Sequence, residues 1–246
     1  MALPALLSKL LGRGGGDTGD DSTRFRIGLG DQDGAPVWLD RGQLSGHVAL
    51  ADPRPEQRRS TLMAFAGEAM RQGSGLTFCC SGRENLFMPA SALARSFGRG
   101  DDVALCMGDD VPGGLFGAVR HRRLLFVAPP WGPGGDPVAA LARVVQDHLR
   151  PNGTRLPVPP EREAPLHYLL VDDSYRFPQP DWRAFLSMMR RARIVVIAAD
   201  QARPTGHKAF ATVLEAVADG QSRGYRRYAM TGPAGAQTLR APDAKG

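Results

Sequence analysis

From Arg24 onward the sequence alternates short apolar runs with amphipathic stretches, and this alternation restricts the chain more than any other feature. Runs of about four to eight apolar residues bounded by Gly, Pro or Asp read as strands, and segments with apolar residues three and four apart read as helices. Strand and helix in turn make βαβ units, whose crossovers demand a largely parallel sheet flanked by helices. The expected class is α/β.

Phe25 to Leu29 and Val37 to Leu39 read as a hairpin around the turn-forming DQDG, and His47 to Ala51 (HVALA) as the first central strand. Pro55 suits a first helical turn, and Leu62, Phe65, Ala66, Ala69 and Met70 recur at helical spacing until Gly73. Strands follow at Leu76 to Cys80, Val103 to Met107, Leu124 to Ala128, Tyr168 to Val171 and Ile194 to Ala198. Helices are expected at Ala90 to Phe97, Val138 to Leu149, Trp182 to Arg191 and, last, about Lys208 to Ala218. Pro151 to Pro165, dense in Pro and charge, reads as an exposed connection.

A chain of 246 residues suits one domain with small appendages, and 42% hydrophobic with 23% charged residues excludes a disordered tail or a fibre. Residues 1–23 form the first appendage: ALPALLSKLL has the makings of a short amphipathic helix, and GRGGGDTGDD is a flexible linker by composition. Residues 24–232 are the expected domain, and 233–246, ending APDAKG, a disordered tail. The formal charge of +6 admits contact with nucleic acid, acidic protein or anionic lipid, although an arginine-rich, Gly/Pro-rich composition is also what a GC-rich genome produces. Cys79, Cys80 and Cys106 lie in apolar runs without CxxC spacing, so they read as reduced core residues in a cytoplasmic protein. No run approaches the roughly 18 apolar residues of a transmembrane helix, which limits membrane contact to a peripheral one at the inner face.

In a P-loop ATPase the first central strand leads into GxxxxGK[ST]: backbone N–H groups wrap the phosphates, lysine neutralises them and the hydroxyl binds magnesium. Here HVALA leads into Asp52, Pro53, Arg54, Pro55, Glu56, Gln57, Arg58, Arg59, Ser60 and Thr61. Without a gap, Asp52 and Gln57 replace the glycines, Arg58 the lysine and Arg59 the hydroxyl residue; one residue further on, Arg59 and Ser60 stand for lysine and serine. Neither register contains glycine. Pro53 and Pro55 lack the N–H donor, and Asp52 brings negative charge towards any phosphate. Arg58, Arg59, Ser60 and Thr61 are thus the nucleotide-binding candidates of a damaged loop.

An apolar strand ending in acid is the second ATPase signature, and LHYLLVDD supplies it with Asp172 and Asp173. In an active enzyme the first acid would hold magnesium and the second orient water; otherwise the pair opens the turn DDSYRF.

With GHVALA, the stretch Leu93-Ala-Arg-Ser-Phe97-Gly98-Arg99-Gly-Asp101-Asp102-Val103, Gly114-Leu-Phe-Gly-Ala118, Leu124-Leu-Phe-Val-Ala-Pro129 and IVVIAADQ, the chain resembles the TraG/TraD-type coupling ATPases of type IV secretion and conjugation, nearest their Dot/Icm branch (IcmO/DotL and TrbC). The resemblance spans roughly Pro36 to Gln201 and rests on element order, with no motif intact. It implies a RecA-like P-loop NTPase, a three-layer sandwich around a mostly parallel sheet, and puts Gln201 or its neighbour Asp200 at the sensor position. It also implies partners in secretion or conjugation machinery, among them a catalytic coupling ATPase. Departures are the lost P-loop, Asp173 where the family has Glu, and Cys80-Ser-Gly-Arg83 in place of its DGKG stretch.

The five histidines show neither HxxxH nor HExxH spacing, so no metal site is expected and each reads as a satisfied or surface residue. Arg223, Tyr225, Arg226, Arg227 and Tyr228 interleave arginine with aromatics, a pattern for stacking on nucleic acid or for an edge strand with a basic solvated face. Three readings follow. The first is a degenerate ATPase-like adaptor without cofactor, the second a divergent motor ATPase using Mg-ATP, and the third a nucleic-acid-binding module without ATPase activity.

Overall fold

The structure, a computed structural model, describes residues 24–80, 87–107, 121–128, 136–149, 167–177, 181–204, 206–222, 225–233 and 235–242. Eleven strands form one sheet: β1 (Phe25–Gly30), β2 (Pro36–Leu39), β3 (Val48–Ala51), β4 (Gly75–Cys79), β5 (Val103–Met107), β6 (Leu124–Ala128), β7 (His167–Val171), β8 (Ile194–Asp200), β9 (Thr212–Ser222), β10 (Tyr225–Gly232) and β11 (Gly235–Pro242). The helices are α1 (Arg41–Ser45), α2 (Pro55–Arg71), α3 (Phe87–Ser96), α4 (Pro137–Leu149) and α5 (Trp182–Arg191).

Across the sheet the order is β2-β1-β11-β10-β9-β3-β8-β7-β4-β6-β5. All pairings from β9 to β5 are parallel, whereas β10, β11, β1 and β2 extend the sheet antiparallel. The central parallel strands are buried on both faces, which is why β3, β7 and β8 read as unbroken apolar runs. One core packs α2 and α3 on one face through Leu62, Phe65, Met70 and Leu93; the other packs α4 and α5 on the opposite face through Leu141, Val145, Phe185 and Met189. The result is the expected three-layer α/β sandwich with a mostly parallel sheet.

Helix α2 shows how local sequence builds the frame. Pro55 fixes its first turn, and Gly73, at a φ of +69°, reverses the chain after its end. Leu62, Met63, Phe65 and Met70 are all but fully buried, worth about 1.5 to 3 kcal/mol each. The same helix buries Arg58, Thr61 and Glu68, polar groups that need partners inside. Glu68 finds them in the Arg26 N–H at 3.2 Å and the Arg71 guanidinium.

His47, with a φ of +64°, stands immediately before β3. Its Nδ1 accepts the Val196 N–H at 3.0 Å, so Nε2 carries the proton and donates to the Leu186 carbonyl at 2.8 Å. One neutral imidazole thereby fastens β8 to α5.

Three expectations differ from the structure at the C-terminal end. Residues from Lys208 to Ala218 are not a helix: one 3-10 turn (His207–Ala209) precedes β9. Alternate burial of Thr212 and Leu214 against half-exposed Val213 and Glu215 is a strand period, imposed by pairing with β3 and β10. The basic segment is not an edge strand either, because β10 lies between β9 and β11. β11 runs on to Pro242 through residues assigned above to a disordered tail, and its Ala241 is buried. Pro151 to Pro165 and the segments 1–23 and 243–246 lie outside the described residues. No helix among the described residues is long and apolar enough to cross a membrane.

Candidate functional site

Strands β3 and β7 point the same way with β8 between them, so the segment after Ala51 and the acids after Val171 meet at one end of the sheet. Backbone bonds set the depth: Asp52 N–H donates to the Asp200 carbonyl and Asp172 N–H to the Cys79 carbonyl, both at 2.9 Å. Asp52 and Asp172 are consequently fully buried.

Between β3 and α2 only residues 52–54 are non-helical. There is no long loop whose N–H groups face a ligand. Pro53 and Pro55 have no N–H, and the Arg54 N–H is taken by Asp52 Oδ1 at 3.0 Å. Arg58 and Arg59 therefore sit on the second turn of α2, with their guanidinium groups directed at Asp172.

Arg58 is 3% exposed and spends its whole fork internally. Nε donates to Asp172 Oδ1 at 3.1 Å, Nη1 to the Asp52 carbonyl at 2.9 Å, and Nη2 to Asp173 Oδ1. Arg59 Nε donates to the other Asp172 oxygen at 3.1 Å. Burial pushes the Asp172 carboxyl above the ordinary carboxylate range, while the Arg58 charge pulls it back down. Asp173 adopts the left-handed conformation, φ +53°, and its N–H donates to Asp172 Oδ1 at 3.0 Å.

A second network abuts the first. Asp52 Oδ2 accepts from Tyr228 Oη at 2.9 Å and from Arg226 Nε at 3.2 Å, and Tyr228 Oη lies 3.1 Å from Thr61 Oγ1. Tyr228 is pushed far above the normal phenol range, first by burial and then by the Asp52 charge. Asp200 serves the backbone: Oδ2 accepts from Ser174 Oγ and the Tyr175 N–H, Oδ1 from the Gln201 N–H.

The structure thus gathers Asp172, Asp173, Arg58 and Arg59 into one cluster, with Thr61 joined to it through Tyr228 and Asp52. Ser60 is buried on α2, and the Gln201 side chain is exposed outside the cluster. Arg226 and Tyr228 do not present themselves to a polymer: they are 2% and 0% exposed and face inward, because alternate residues of β10 share the core face. Arg227, on the opposite face, pairs with Asp31 at 2.5 Å. Arg223 and the Tyr225 side chain lie outside the described residues. Sequence reasoning missed Asp52 as the acceptor for β10. The period of two in Arg226, Tyr228 and Met230 was the available signal.

The carboxylates that would receive the metal are held by two guanidinium groups, and the segment that would cradle phosphate offers prolines and a carboxylate.

No protein-family model and no curated protein matches the chain. Among solved structures, an ATPase 17% identical superposes over 98% of this chain and 93% of its own, with a TM-score of 0.51. EssC (ATPases 2 and 3) from Geobacillus thermodenitrificans, 11% identical, superposes over 90% of this chain with the same score; the match spans 41% of the EssC chain. The chain has the P-loop ATPase fold.

Proposed function

We propose that this chain is a P-loop-fold subunit that neither binds nor hydrolyses ATP and serves as an adaptor or structural component of a secretion or conjugative-transfer apparatus. One observation carries the reading: the two acids at the magnesium position are neutralised from within by Arg58 and Arg59. A nucleotide would have to displace buried guanidinium–carboxylate bonds from two arginines, leaving Asp172 uncompensated. The likeness to EssC, a chain named for its ATPases 2 and 3, and the resemblance of Leu93 to Val103 to a coupling-ATPase segment support a place beside a transport motor. On this reading 24–242 is the folded domain, the partners are machinery proteins including a catalytic ATPase, and the site of action is the cytoplasm or the inner membrane face.

Isothermal titration of the full chain with Mg-ATP tests the reading. No binding tighter than about 0.1 mM, some 5 to 6 kcal/mol, is expected. A tighter constant, or phosphate release abolished by Asp173→Ala, would establish the divergent motor ATPase instead.

A further inference from the structure

Most arginines near the site and on the antiparallel extension are matched with acids: Arg58 and Arg59 with Asp172, Arg71 with Glu68, Arg226 with Asp52, Arg227 with Asp31. The helical layer on the other face departs from this habit. On α5, Arg183, Arg190 and Arg191 are exposed, and Lys208 is exposed on the 3-10 turn beside it, where Gly206 and Phe210 pack on Trp182. None of the four is ion-paired among the described residues. The acid at the start of the helix, Asp181, is occupied in capping: it accepts the Ala184 N–H at 3.1 Å.

Geometry keeps these charges on one side. Residues 183 and 190 are seven apart, so they lie within about 20° of one stripe and roughly 10 Å apart along the axis, with 191 on the adjoining stripe. The buried stripe, Trp182, Phe185, Leu186 and Met189, is committed to the core, leaving the cationic stripe to solvent.

The composition of the face selects the partner. Among the described residues the large exposed apolar side chains, Met88, Leu105 and Tyr175, all lie on other elements. A membrane-binding helix needs an apolar face to insert, and a protein interface needs an apolar or aromatic centre. Single-stranded nucleic acid is gripped by aromatic platforms, which α5 does not expose. A cationic, arginine-rich face without apolar anchors matches the phosphate rows of a duplex, where contacts are electrostatic and independent of sequence.

We infer that the exposed face of α5, with Lys208, is a docking surface for the phosphate backbone of duplex DNA. The surface is remote in kind from the closed acid cluster and does not depend on the nucleotide reading.

Fluorescence anisotropy of the full chain with a labelled duplex of about 20 base pairs, at 50 to 200 mM salt, tests it. With four phosphate contacts, log affinity falls against log salt with a slope of about −3.6, a loss of roughly 150-fold over that fourfold range. The triple variant Arg183→Ala, Arg190→Ala, Arg191→Ala keeps its circular dichroism spectrum, binds at least tenfold more weakly at 50 mM salt, and retains a slope of about −0.9. Arg227→Ala, on the antiparallel extension, leaves binding unchanged. Wild type that fails to bind at 50 mM salt, or a triple variant that binds like wild type, overturns the inference. So does capture by phosphatidylserine vesicles, but not by the duplex, through the same three arginines.

Discussion

Arg58 Nε lies 3.1 Å from Asp172 Oδ1, and both side chains are almost wholly buried, in a cluster of four charges that Arg59 and Asp173 complete. Removing Arg58 leaves buried Asp172 with Arg59 alone and takes from Asp173 its nearest cation, at a cost of about 3 to 5 kcal/mol. Arg58→Ala is accordingly expected to lower the urea midpoint by that much stability at unchanged slope. Replacing both, as Arg58→Met with Asp172→Leu, should recover part of the loss, with Arg59 and Asp173 left as the cluster's two opposite charges. A double variant as unstable as the sum of its single variants would show that the two residues do not act as a pair.

Asp52 is the hub of the second network, and its loss should exceed that of any single partner. Asp52→Ala leaves Arg226 buried with no acid and Tyr228 without its acceptor, for roughly 3 to 5 kcal/mol. Tyr228→Phe removes the hydroxyl's bonds to Asp52 and Thr61 while Arg226 stays paired, for about 2 kcal/mol. Chemical denaturation of the two variants checks the ranking, and the reverse order would displace Asp52 from the centre.

Two buried imidazoles make folding sensitive to acid. Burial lowers His47 from 6.5 to about 4 and His167 from 6.5 to about 3. Between about 6.5 and 4 the unfolded chain binds two more protons than the folded one, so stability rises with pH there and is lost as pH falls. Each histidine contributes about 1.4 kcal/mol per pH unit, making pH 5.5 roughly 3 kcal/mol worse than neutral pH. Denaturation midpoints from pH 7.5 to 5 measure this. His47→Gln should flatten the profile by about half, and an unchanged slope would remove His47 from the account.

Much of the frame was legible because burial writes a period into sequence. Parallel strands such as Ile194–Asp200 are apolar throughout, and α5 starts and stops where its periodicity does. Lys208 to Ala218 misled because its Ala, Leu and Glu favour a helix, while the contacts that make it β9 come from residues 48–51 and 225–231, which no local window contains. At the site, the damaged loop and the acid pair could each be found as strings. That Arg58 turns onto Asp172, 114 positions away, was hidden for the same reason. Sequence showed which residues stand after β3, and only the fold showed which acids they hold.

Rewriting the motif alone should not recreate a nucleotide site. The variant Asp52→Gly, Gln57→Gly, Arg58→Lys, Arg59→Ser spells the phosphate-loop pattern in the gapless register. It leaves Pro53 and Pro55 without donors, and α2 still begins at Pro55, with only three residues between it and the end of β3. Phosphate needs several convergent N–H groups in a loop, and a helix start this close to the strand supplies none of that curvature. Provided its circular dichroism spectrum shows the fold intact, the variant is expected to bind Mg-ATP no tighter than about 0.1 mM by titration calorimetry. Micromolar binding would mean that residue identity, and not the length of the connection, keeps ATP out.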